Sequence, residues 1–142
     1  MGGPILWKTL HILAAVWLSA GVFASAVVFA LLKRASDPAG RAFGVRLAWR
    51  LTTVYTLPGA VLSGVLGLFQ VMVAGFGFDR GWVHGSLLLW LILLAGVLFV
   101  QVPRLREAVR TGGSVPPLVA ILTHVNALFI VVMVILMTFK PF

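Results

Sequence analysis

Residues 9–32, TLHILAAVWLSAGVFASAVVFALL, run for 24 positions without a charged side chain. As a helix at 1.5 Å per residue the stretch reaches ~36 Å, enough to cross a hydrocarbon core of about 30 Å. Three further runs, 51–78, 81–103 and 111–139, are also free of charge and of similar length. Together they account for a chain that is 61% hydrophobic and only 10% charged over 142 residues. A globular domain averages about 45–50% apolar and about 25% charged residues, so little chain is left for one here. The expected fold is all-α: a single four-span membrane domain over residues 1–142, with spans near 4–32, 51–76, 82–103 and 117–139.

The net charge of +8 is explained by where the cations fall. Lys33, Arg34, Arg41, Arg46 and Arg50 lie between the first and second spans, and Arg104, Arg106 and Arg110 between the third and fourth. Lys8, Arg80 and Lys140 are left for the other side. The positive-inside rule puts the two basic loops in the cytoplasm and both termini outside. The charge is then topological, with some attraction to anionic lipid heads, and nucleic acid is not an expected partner. The chain has no cysteine, which excludes disulfides, thiolate metal sites and iron–sulfur clusters. Lys8, the apolar run and Ala24-Ser25-Ala26 follow the order of a secretory signal. The run nevertheless continues to Leu32 and stops at Lys33-Arg34, so an uncleaved first span is expected.

Local signals mark the boundaries. Asp37 and Pro38 suit an N-cap and first helical position, predicting a short interfacial helix or a cytoplasmic extension of span two. Pro58 should kink span two or end its first segment. Gly112-Gly113 closes span three, and Pro116-Pro117 opens span four. Gly59, Ser63 and Gly67 recur every fourth residue, with Gly64 beside them. Such a smooth stripe suits close helix packing or leaves room for a flat cofactor.

Three histidines are the main candidates for chemistry. His11 lies ~4.5 Å beyond Lys8, and His84 ~6 Å beyond Arg80. Both are expected just inside the same boundary on different helices, the minimum geometry for axial ligation of one haem. An interfacial hydrogen-bonding role is the alternative, since Trp7, Trp17, Trp82 and Trp90 show how aromatic these zones are. His124 enters from the other face and falls roughly 15–20 Å away along the normal. There it can bond to a backbone carbonyl or join Asn126 and Tyr55 in a second polar cluster. Gln70 shares the face of Gly67 and can serve a histidine's second nitrogen or a ligand. Met72, Met133 and Met137 are ordinary gap-fillers, or with the histidines a soft Cu(I) site. No paired intramembrane carboxylates, phosphate-binding glycine loop or hydrolytic triad occurs, so catalysis without a cofactor is not expected.

Several segments carry a family resemblance. WKTLHILAAVWLSAGVF at 7–23 resembles the first span of HemJ-type protoporphyrinogen IX oxidases, a family whose span carries a lysine, a Leu-His pair and a Trp-x-x-Gly stretch. RLTTVYTLPGAVLSGVLGL at 50–68 is similar to the second span of that family. WVHGSLLLWLILLAGV at 82–97 matches its Trp-x-His segment, and VNALFIVVMVILMTFKPF at 125–142 its last span and Lys-Pro-Phe ending. The wider group also resembles CopD-type copper-resistance membrane domains. The resemblance implies haem b bound through His11 with His84 as partner, in a bacterial inner-membrane protein with a redox or electron-transfer role. Gly67 would make room for the porphyrin, and Lys8 and Arg80 would pair with its propionates.

The departures are specific. Where the family has a lysine after its span-three histidine the chain has Ser86, and Ala127 stands in place of a glutamate. An arginine of the family's last span is also replaced, within the segment LTHV. What carries over is haem binding rather than oxidase activity. Copper handling and service as a non-catalytic accessory subunit of a larger membrane complex are the alternatives. The small-residue stripe also permits a homo-oligomer.

Overall fold

The computed structural model describes residues 2–141, so Met1 and the closing Phe142 lie outside it. Four long helices make up the fold: α1 (Gly2–Leu32), α2 (Pro38–Ala74), α3 (Gly81–Thr111) and α4 (Pro117–Phe139). Each is long and apolar enough to cross a membrane, which implies a lipid bilayer as its surroundings. Only 17–33% of the most apolar window of each helix is buried inside the bundle. Leu13, Val16, Val27, Phe99 and Leu128 are among the apolar side chains left facing outward. Such an apolar exterior is stable against lipid and not against water.

The segment after the first span is an extension of span two rather than a separate helix. Asp37 caps it, its carboxylate accepting from the Gly40 amide at 2.7 Å, with Pro38 in the first turn. From there α2 continues for 37 residues, to the left-handed Gly75. Gly112 ends α3 with the same conformation, φ +66°.

Pro58 neither ends nor breaks α2. Thr52–Thr56 widens into one π-helical turn just before it, and the Leu57 amide reaches back to the Thr52 carbonyl. The same device precedes Pro103 in α3, where Val97–Gln101 is π-helical and the Val102 amide bonds to Val97. A proline lacks the donor and crowds the carbonyl four residues earlier, and one wide turn absorbs both problems. Around Pro58 the Val54 carbonyl accepts instead from the Trp17 indole of α1, at 2.9 Å.

The helices run up, down, up and down, each packed against its two neighbours, with α1 and α4 closing the ring. The most extensive seam is α1 against α2. Two apolar layers fill the centre. One comprises Leu18, Val22, Ala60, Leu93, Val97, Ile130 and Met133. The other, toward the end that carries the two basic loops, comprises Phe29, Ala48, Leu105 and Val119.

Candidate functional site

His11 stands on the inward stripe of α1, continued at helical spacing by Ala14, Leu18, Gly21 and Ser25, all buried. Its imidazole lies against Gly67 of α2. A Cβ at Gly67 would sit 3.0 Å from Cε1 and 3.3 Å from Nδ1 of that ring. Nδ1–H donates to the Ser63 carbonyl at 2.9 Å, leaving Nε2 with the lone pair. The space expected at Gly67 for a porphyrin is therefore taken by the imidazole itself. Gln70, one turn beyond Gly67, holds its Oε1 buried without a partner. Ser86 Oγ on α3 is buried and unpartnered as well. The Trp90 indole lies in the notch left by Gly64 and donates to the Ala60 carbonyl at 2.7 Å.

His84 is not brought to face His11. It is exposed, whereas Val83 and Ser86 beside it are each 5% exposed and point into the bundle. At 100° per residue the buried Trp82, Val83, Ser86 and Leu93 share one face of α3, and His84 falls on the opposite one. Depth matched the two histidines, but rotation about the helix axis separates them. Lys8 and Arg80 are exposed near the same end, without an ion pair among the described residues. Met72 and Met137 face outward at 55% and 36% exposure, while Met133 is buried in the core. These methionines do not converge on His11, and no group of three His, Cys, Asp or Glu side chains with metal-binding geometry occurs among the described residues.

The second expected cluster also comes apart. His124 is exposed and donates through Nδ1–H to the Ala120 carbonyl one turn back, at 2.7 Å. Tyr55 stacks on Trp17 with ring centroids 4.9 Å apart. Asn126 alone is buried, and its Nδ2 has no partner.

What Asn126 joins instead is a polar layer not foreseen from the sequence. On α1, Ser25 lies between Val22 and Phe29 of the two apolar layers. On α2, Thr52 and Thr56 lie between Ala48 and Ala60. Gln101 lies between Val97 and Leu105 of α3, and Thr123 and Asn126 between Val119 and Ile130 of α4. All six are at most 3% exposed. Gln101 Nε2 donates to Thr123 Oγ1 at 3.0 Å, joining α3 to α4. The layer coincides with both π-helical turns, which touch each other. Ser19 and Thr138, outside the layer, donate to the carbonyl four residues earlier, as Thr123 does within it. Ser25 Oγ does not, and it is left without a partner. With no ionisable member, the layer acts through hydrogen bonds rather than charge.

A Gln101→Leu/Thr123→Val cycle, read by thermal unfolding in detergent, should give a coupling of about 0.6 kcal/mol and at most about 1.7, the measured span for interhelical bonds in membranes. A coupling of zero would show that the bond does not hold α3 to α4.

Compared with known proteins, residues 5–141 match a family described as a predicted integral membrane protein, DUF2269. The chain belongs to this family. The match covers all four helices and supports a small integral membrane protein, without singling out the HemJ-type or CopD-type groups. No curated protein and no solved structure matches the chain.

Proposed function

We propose that this member of the family is a haem-carrying membrane protein with a redox role, in which His11 supplies the iron ligand through Nε2. One observation carries the reading: His11 is the histidine turned into the bundle, with Nδ1–H committed to the Ser63 carbonyl and the lone pair left on Nε2. A metal-bound histidine characteristically donates its other ring N–H to a carbonyl or carboxylate, which fixes the tautomer and the ring plane. The unpartnered Oε1 of Gln70, one turn from the ring's seat on Gly67, adds an acceptor for a ligand-borne donor. The likeness of residues 7–23 to the HemJ-type first span points the same way. Haem bound there would supply one-electron oxidation and reduction. The chain's own contribution is to orient the imidazole and to keep the site within an apolar bundle.

His84, on the outward face of α3, is not needed as the second ligand in this reading. The test is the optical spectrum of protein purified in mild detergent after expression with ample haem supply. A Soret band is expected, lost in His11→Ala and kept in His84→Ala. No Soret band in the parent protein, or an unchanged one in His11→Ala, would overturn the reading.

A further inference from the structure

At the basic end of the bundle a groove of about 360 Å³ opens between α2 and α3. Arg46 and Arg50 stand one helical turn apart along it, with Trp49 between them, Thr53 and Val54 in the following turn, and Val109 of α3 opposite. The Arg106 guanidinium lies over the Trp49 ring, 5.9 Å from its centroid. We propose that this groove holds the phosphate of an anionic phospholipid between Arg46 and Arg50, with an acyl chain running along Val54.

Charge is the first argument. The eight cations of the two basic loops meet little acid on the chain. The ion pair among the described residues is Arg110 with Glu107 at 2.9 Å, and Asp37 is engaged in capping α2. The Arg41 side chain donates to the Ala35 carbonyl, whereas neither the Arg46 nor the Arg50 guanidinium has a hydrogen bond or ion pair among the described residues. Two arginines one turn apart, ~6 Å along one helix face, repel unless an anion lies between them. A phosphate offers each of them a planar, two-pronged pairing.

The order of residues along the groove is the second argument. Arg50 is the last charged residue before the charge-free run of span two, so the cations sit at the boundary of the apolar surface. Below them come Thr53 and then Val54, 45% exposed, with the Trp17 indole of α1 bonded to the Val54 carbonyl. Cation, then hydroxyl, then aliphatic and aromatic surface is the sequence in which a phospholipid presents phosphate, glycerol region and acyl chain. A free phosphate shares the headgroup chemistry but makes no use of the lower half.

This inference is independent of haem at His11. Its test is native mass spectrometry of the detergent-solubilised full chain titrated with phosphatidylglycerol, with phosphatidylcholine as the uncharged comparison and inorganic phosphate as competitor. One phosphatidylglycerol should bind in preference to phosphatidylcholine. Arg46→Gln/Arg50→Gln should weaken it by about tenfold to thirtyfold and leave phosphatidylcholine unaffected. Arg34→Gln/Arg104→Gln removes the same charge away from the groove and should change affinity less than threefold or so. Equal losses in the two double variants, or no preference between the lipids, would overturn the proposal. Displacement of the lipid by millimolar phosphate would show a free-anion site instead. All four substitutions are at exposed positions, and unchanged far-UV spectra and melting would keep a loss of fold from imitating a loss of binding.

Discussion

Alanine at Gly21 or Gly59 is expected to force α1 away from α2 and destabilise the protein by about 1–3 kcal/mol or more, the usual consequence of overpacking. A Cβ at Gly21 would fall 2.6 Å from the Thr56 backbone nitrogen and 2.5 Å from Thr56 Oγ1. At Gly59 it would fall 2.5 Å from the Leu18 nitrogen and 2.6 Å from its Cα. In both places the obstructing atoms include backbone, which no rotamer change can clear, so the helices themselves must part. Two hydrogen bonds on the same seam are then at risk: the Trp17 indole to Val54, and His11 to Ser63. Gly85→Ala is the internal control, since its Cβ would meet only a leucine methyl, Leu136 Cδ1, at 3.3 Å. Thermal unfolding in detergent should rank Gly21→Ala and Gly59→Ala well below Gly85→Ala. Gly21→Ala melting with the parent protein would mean that the α1–α2 seam is looser than described.

Those glycines also show what the sequence could and could not reveal. Charge-free runs, basic loops and the Asp37-Pro38 cap made four helices legible, because lipid thickness and capping act on local sequence. The Gly59–Ser63–Gly67 stripe was legible as a packing surface. Its partners were not: Gly59 receives the backbone of Leu18, Gly64 the Trp90 indole, and Gly67 the imidazole. That His11 turns inward emerges only from the buried Ala14 and Leu18 that continue its stripe. Depth and the family resemblance paired it with His84, and depth is blind to rotation about the helix axis. Ser86, two residues after His84 and buried, gives that rotation away only once the bundle is assembled. The polar layer was hidden for a related reason. Ser25, Thr52, Thr56, Gln101, Thr123 and Asn126 are each unexceptional within their own span, and their common depth emerges from the two apolar layers that bracket them.

The polar layer and the His11 site divide the bundle interior unequally. Toward the basic end, all four helices contribute neutral hydrogen-bonding groups, and the π-helical turns before Pro58 and Pro103 meet. Toward the other end, one imidazole turns inward near the buried Ser63, Gln70 Oε1 and Ser86 Oγ, separated from that layer by Leu18, Val22, Ala60, Leu93 and Ile130. A ligand at His11 is thereby screened from the polar layer by aliphatic side chains. The opposite boundary, by contrast, is only a few residues from His11 along α1.

Trp90 secures α3 to α2 in that half of the bundle, and Trp90→Ala is the second substitution expected to have a large effect. Its ring packs against the central apolar layer, occupies the notch of Gly64 and donates to the Ala60 carbonyl. Truncating a packed tryptophan typically costs about 3–5 kcal/mol. The lower end applies here, because helices separated in lipid lose packing but expose no apolar surface to water. The hydrogen bond is the smaller share: Ala60 also accepts from Ser63 Oγ at 3.2 Å, so Trp90→Phe, which keeps most of the ring, should cost about 1 kcal/mol. The decisive comparison is a pair of backgrounds. A methyl at Gly64 would overlap Cε2 and Cζ2 of the indole, so Gly64→Ala should be strongly destabilising in the parent protein. In a Trp90→Leu background the shorter side chain leaves that space open, and the same Gly64→Ala change should be close to neutral. Melting temperatures of the four proteins in one detergent give the coupling directly. If Gly64→Ala is equally harmful in both backgrounds, the glycine is required by something other than the indole.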